Sequence, residues 1–260
     1  MKAIDLSIVT INYNNLAGLR RTLESVFLQS ATNFEHIIVD GLSTDGSKEY
    51  LESFVTPRFK FSSEKDEGIY YAQNKGIEKS QGKYILFLNS GDTLANENTI
   101  EEISSYQLDS ELIYGDMYIE SLDNIKRLGK QPKKLSLSHL LLDTIWHPAC
   151  LIRRDLFEKF GLYNTNFKIV ADYEFWLRIY SSKSITTKYI PVVFSSFNLD
   201  GISSDPKNRT KLIQERKKSQ ELYYTRIELF FFRDILMFFE KVLLYAKLIM
   251  KKLFNSISRK

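Results

Sequence analysis

The sequence predicts an α/β fold: a mainly parallel sheet with helices on both faces, followed by a C-terminal helical extension. Two observations predict it. Over the first hundred or so residues, strand-like apolar runs alternate with segments of helical periodicity, and each run ends in polar residues. The run Tyr84-Ile85-Leu86-Phe87-Leu88 is apolar without alternation, as expected of a central strand covered on both faces, and it breaks at Asn89-Ser90-Gly91 ahead of Asp92. Ligands of open α/β sheets bind outside the carboxyl ends of the strands, so an aspartate there is placed to hold a cation or a metal-bound phosphate.

The first strand is Leu6 to Ile11, ending in Asn12-Tyr13-Asn14-Asn15, and a helix follows with Leu16, Leu19, Leu23, Val26 and Phe27 on its apolar face. His36 to Val39 is the second strand and runs into Asp40-Gly41-Leu42-Ser43-Thr44-Asp45-Gly46-Ser47, where Ser43 or Thr44 is the expected cap of a helix from Lys48 towards Phe54. A short strand at Phe59 to Ser62 precedes Glu64-Lys65-Asp66-Glu67-Gly68, and Tyr70 to Ile77 is helical with Gly82 as its stop. Four strands alternating with three helices bring Thr10, Tyr13, Asp40, Asp66 and Asp92 towards one sheet edge. No Gly-rich dinucleotide fingerprint or P-loop follows any of these strands, so bound phosphates call for a metal.

Beyond the central strand, Glu97 to Ser104 is a short helix and Leu112 to Ile119 reads as two strand pieces around a turn or bulge. Lys126 to Lys134, with Gly129 and Pro132, has the composition of an exposed loop that orders on substrate. Leu135 to Leu142 is helical, Trp146 to Ile152 leads into a strand, and Asp155 to Phe160 is a helix closed by Gly161. Ile169 to Ile179 is a helix with Asp172 near its start, where an acid also suits the helix dipole. Thr186 to Ser196 is the last strand, and Asn198 to Asn208 a linker or flap.

The 260 residues, 43% of them hydrophobic, suffice for one large domain, residues 1–205, with an appendage at 206–260. The one cysteine, Cys150, precludes an internal disulfide, and the N-terminus lacks the basic start and apolar stretch of a signal peptide; both fit a cytoplasmic address. The net charge of +4 is unevenly spread. Residues 207–260 hold 14 Lys or Arg against 5 Asp or Glu, leaving 1–206 acidic. A basic tail on an acidic body points to an anionic membrane surface rather than to nucleic acid.

Four blocks, Ser7-Ile8-Val9-Thr10-Ile11-Asn12-Tyr13-Asn14, Val39 to Ser47, Asp66 to Gly76 and Phe87 to Asp92, together resemble the family 2 glycosyltransferases in content and order. The resemblance covers roughly residues 5 to 200. It implies a GT-A fold, Rossmann-like in its parallel sheet, and an inverting transferase that takes a sugar from a nucleotide-diphosphate donor with Mn2+ or Mg2+. It further implies that Thr10 and Tyr13 border the nucleotide base, with Tyr13 stacked on it, and that Asp40, Asp66 and Lys75 line the nucleotide site. Asn89 would bond a ribose hydroxyl, Asp92 would hold the metal, and Asp172 would be the general base, with Glu174 the weaker candidate. His147 matches the acceptor-side loop, where a contact to diphosphate or acceptor and a purely structural place are both open.

The sequence departs from the family pattern at Gly41, Asn89, Gly91 and Ala171, each standing where an acid is frequent. Those losses motivate an alternative, a catalytically silent nucleotide-sugar-binding subunit; the presence of Asp92 and Asp172 opposes it. The absence of a Gln-x-x-Arg-Trp element and of an uncharged apolar run of about twenty residues favours single addition over processive synthesis, and by the resemblance the acceptor is a lipid-linked or cell-surface glycan. In the tail, Phe231, Ile235, Phe238, Val242, Tyr245 and Ile249 oppose Arg233, Glu240, Lys241, Lys247 and Lys251 on a helical wheel. That is the pattern of a helix lying on the inner face of the cell membrane, with packing on the catalytic domain or dimerisation through the tail as the other outlets for its apolar side.

Overall fold

The structure is a computed structural model that describes residues 6–54, 58–121, 125–199 and 201–238. In chain order the strands and α-helices are β1 Leu6–Asn12, α1 Leu16–Phe27, β2 Phe34–Asp40, α2 Ser47–Ser53, β3 Phe59–Ser63, α3 Ile69–Lys79, β4 Tyr84–Phe87, β5 Thr93–Leu94, α4 Thr99–Ser104, β6 Leu112–Glu120, β7 Lys126–Gly129, α5 Leu137–Leu142, β8 Cys150–Arg153, α6 Asp155–Phe160, α7 Ala171–Ser181, β9 Thr187–Asn198, α8 Arg209–Tyr223 and α9 Arg226–Leu229. They form one sheet in the order β3-β2-β1-β4-β8-β6-β9-β5, with β7 paired to β6. β3, β2, β1 and β4 are parallel, whereas β8 runs antiparallel between β4 and β6.

Alternation along the inner strands fills two cores. Leu6 and Ile8 of β1 and Leu86 of β4 pack on one face with Val26 of α1 and Ile100 of α4; Val9, Ile85 and Phe87 pack on the other with Tyr70 and Ile77 of α3 and with Phe175 and Trp176 of α7. This is the expected parallel half with helices on both faces.

Local departures from expectation have local causes. Phe27 is exposed and meets Phe54 edge-on, because the buried stripe of α1 is Gly18, Leu19, Thr22, Leu23 and Val26. Neither Ser43 nor Thr44 caps α2: its cap is Gly46, and Ser43 turns back to bond Asp40. α3 stops at Ser80 rather than at Gly82. Leu112–Glu120 is a single strand. The irregularity lies opposite, in β9, where Tyr189 to Val193 spans the stretch that faces Tyr114 to Asp116; Pro191, which has no N–H to give, sits in that bulge. Residues 126–129, expected as a loop, form β7, hydrogen-bonded along β6.

The beginning of the tail is packed on the body. The Glu215 carboxylate of α8 accepts the backbone N–H groups of Lys168, Ile169 and Val170 just ahead of α7. Gln220 donates to the Leu141 carbonyl and lies 2.7 Å from the Tyr173 hydroxyl. Buried Glu174 pairs with Arg178 at 2.7 Å and accepts from the Tyr223 hydroxyl. It points away from Asp172, as its offset along the helix requires. After α9 the chain makes a wider π-type turn, Phe230–Asp234, on which Phe230, Phe231 and Phe232 are exposed while Arg233 folds back onto Gln220. Arg233 therefore faces the body rather than the polar side expected of it. Val242, Tyr245, Ile249 and the charged positions from Glu240 to Lys251 lie outside the described residues.

Candidate active site

A cleft of about 930 Å3 opens at the carboxyl ends of β1, β2 and β4. Tyr13, Asp66, Asn89 and Asp92 all line it, so the topology gathers four of the residues singled out in the sequence. Tyr13 is 67% exposed, with its ring beside Gly41. Asp66 accepts the Gly68 N–H and turns its other oxygen towards Gly41.

Gly91, at φ +105°, turns the chain sharply after β4. Thr22, fully buried on α1, braces that turn: its Oγ1 accepts the Gly91 N–H at 2.9 Å and lies 2.7 Å from the Asp92 carbonyl. Asp92 is only 4% exposed, and its Oδ1 accepts the backbone N–H of Asn198 at 2.9 Å. Burial pushes its carboxyl up to about 7. Arg21, also lining the cleft, is held by the carboxylate of Glu120 at 3.0 Å and supplies the nearby positive charge. Asn12 ties the strand ends together, donating to Asp40 and accepting from Ser90. Arg21, Thr22 and Asn12 escaped the sequence reading. Their signal is faint: one polar side chain on a buried helical stripe, one cation on an exposed one, one amide at a strand end.

Other expected residues stand back from the cleft. Thr10 does not border it: it is fully buried, its hydroxyl shared between His36 Nε2 at 2.9 Å and the Leu88 carbonyl at 2.7 Å. Asp40 is also fully buried. Burial alone would raise its carboxyl, but hydrogen bonds from Ser43, Ser63 and Asn12 outweigh it and hold the group below the ordinary range. It ties the β1, β2 and β3 ends into one rim. Lys75 pairs with Glu64 and donates to the Lys65 carbonyl, bracing the loop that carries Asp66. His147 is inside the core, stacked on Phe87 with its Nε2 2.8 Å from the Tyr163 hydroxyl, and burial lowers its imidazole to about 4. Asp172, half-buried in the first turn of α7, is outside the cleft lining and accepts from the Tyr70 hydroxyl at 2.8 Å. Tyr70 lies between Ile69 and Ala72, which do line the cleft.

A profile of the family described as Glycosyl transferase family 2 matches residues 7–161, which take in the cleft-lining strand ends up to Asp92. The chain belongs to glycosyltransferase family 2. The transferase is 32% identical over 205 residues to a PGL/p-HBAD biosynthesis glycosyltransferase of Mycobacterium bovis, 76% of this chain and 78% of that one. Its fold is GT-A. It matches TarS of S. aureus with a TM-score of 0.62 at 15% identity, covering 87% of this chain and 45% of TarS. It matches the mannosyltransferase PcManGT of Pyrobaculum calidifontis, in complex with GDP-Man and Mn2+, with a TM-score of 0.59 at 14% identity, covering 83% of this chain and 61% of that one. A further TarS structure holds UDP-GlcNAc.

Among the described residues no three His, Cys, Asp or Glu side chains converge as a metal cage. The transferase offers one buried carboxylate, Asp92, at the cleft. That fits a divalent ion completed by donor oxygens and water, since Mg2+ and Mn2+ keep several such ligands. No described helix is long and apolar enough to cross a membrane.

Proposed function

We propose that the transferase moves a single hexosyl or N-acetylhexosaminyl unit, with inversion, from a nucleotide-diphosphate sugar to a lipid-linked or cell-surface glycan, and that the donor is a UDP-sugar. The observation that carries this is one cleft lined by an exposed aromatic face, Tyr13, and two acids, Asp66 and Asp92. In this reading Tyr13 stacks on the base, Asp66 and Asn89 accept from base and ribose, and Asp92 holds Mn2+ or Mg2+. Asp40 and Lys75 act through the loops they brace, and Thr10 and His147 belong to the supporting core. The acceptor oxygen attacks the anomeric carbon as its proton passes to Asp172, and the bond from that carbon to the diphosphate oxygen breaks. Asp92 would hold the divalent ion, which when bound would supply positive charge for the departing diphosphate.

UDP-GlcNAc in the related TarS fold supports the choice of base, and GDP-Man in PcManGT sets the comparison. The test is a panel of UDP-, GDP- and dTDP-sugars, read by diphosphate release and thermal shift with Mn2+, Mg2+ or EDTA. A metal-dependent shift and release with a UDP-sugar is the expected result; a shift without release from any donor supports the silent-subunit reading.

The same reading seats the tail on the inner membrane face. The exposed Phe230, Phe231 and Phe232 and the basic residues beyond them support it. Because α8 is docked on α7, the proper comparison is full-length protein against a chain ending at Phe238, not one ending at Asp205. Full-length protein should co-sediment with anionic vesicles and not with neutral ones. Retention in the supernatant with concentration-dependent dimerisation would favour self-association.

A further inference from the structure

We propose that Tyr70 is a positioning residue for Asp172, its single hydroxyl hydrogen passing between the Asp172 carboxylate and the Ile169 carbonyl as the base changes charge. The proposal rests on Asp172 being the base.

Tyr70 lies in the first turn of α3 and is 7% exposed. Its hydroxyl is 2.8 Å from Asp172 Oδ1 and 2.8 Å from the Ile169 carbonyl. One O–H cannot donate fully to both. While Asp172 is ionised the charge-assisted bond prevails. Once Asp172 has taken the acceptor's proton on its other oxygen, Oδ1 is a neutral carbonyl oxygen, the charge assistance is gone and the Tyr70 hydrogen turns to Ile169. The bond that fixes the carboxylate is therefore strongest in the charge state that accepts the proton. Burial drives the Tyr70 hydroxyl well above its ordinary range, so it stays a donor.

The ring cannot swing away. It meets Tyr163 edge-on at 5.6 Å, and Asn74, one turn along α3, clamps Tyr163 by donating to its carbonyl at 2.9 Å and accepting its N–H at 3.0 Å. The same helix presents Ile69 and Ala72 to the cleft, so α3 joins the donor side of the site to the base. The titratable groups around Asp172 are Tyr70 from α3, His147 ahead of β8, Cys150 on β8 and Tyr163 from the loop before α7. Burial keeps all four uncharged at about pH 7.

The test is a cycle of wild type, Tyr70→Phe, Asp172→Asn and the double variant, each melted at about pH 7. Tyr70→Phe should lower Tm by about 4 °C or more in the wild-type background and little in the Asp172→Asn background. Hydrolysis of UDP-GlcNAc with Mn2+ should show kcat down about tenfold in Tyr70→Phe with KM within about twofold, and no added loss on top of Asp172→Asn. Equal losses in both backgrounds would mean that the hydroxyl serves Ile169 alone, overturning the proposal while leaving an inactive Asp172→Asn as support for the base. Wild-type turnover in Asp172→Asn would remove the base and this proposal together.

Discussion

Gly41 lies directly against Asp66: a Cβ built at position 41 would stand 2.7 Å from Asp66 Oδ2 and 3.1 Å from the Tyr13 ring. The carboxylate of Asp66 thus reaches into the space that a side chain at 41 would take. Gly41→Ala should weaken UDP binding in Mn2+ by about tenfold through displacement of Asp66 and Tyr13, with Tm little changed. Gly41→Asp should be worse, because it sets two carboxylates in one place. Calorimetry checks both, and tighter binding by Gly41→Asp would show that Asp66 does not hold that position.

Asp92→Ala should reduce UDP affinity measured in Mn2+ to the value measured in EDTA, since the only acid among the cleft-lining tip residues 89–92 is then gone. An unchanged metal dependence would move the ion elsewhere.

For Asp172→Asn the expectation is UDP affinity within about twofold of wild type and turnover lower by about a hundredfold or more. Parallel titration and UDP-GlcNAc hydrolysis separate the two, and full turnover would reduce Asp172 to an acid that suits the α7 dipole.

Glu215→Ala strips the acceptor from three backbone N–H groups ahead of α7. A stability loss of about 1–3 kcal/mol in urea melts is expected, together with faster amide exchange at residues 168–170. Unchanged exchange there would show that α8 is not what orders that loop.

His36 and His147 are both buried, which lowers their imidazoles from 6.5 to about 3 and about 4. The folded state thus favours the neutral rings. The stabilisation from each is fully present above about pH 6.5 and shrinks as pH falls towards its folded value, by about 2 kcal/mol per ring between pH 6.5 and 5. Imidazole NMR signals of both should keep their neutral positions down to about pH 5, and titration near 6.5 would contradict their burial.

The parallel half of the fold is legible in the sequence because apolar runs without alternation, and the polar tips that end them, are local signals; the family, and with it the cleft-lining Asn89, came through the resemblance of four residue blocks. Which polar residues face the cleft depends instead on contacts between segments far apart in the chain. Thr10 and Asp40 lie at or near the ends of β1 and β2, just as Tyr13 and Asp92 lie beyond the ends of β1 and β4, yet His36, Ser43 and Ser63 occupy the first two from neighbouring strands and loops. Likewise 126–129 looked like a loop, since basic, glycine-containing residues pair as a strand only when β6 offers an edge. The partners of Asp172 and the docking of α8 through Glu215 join residues far apart in the chain, and no periodicity within either segment encodes the contact.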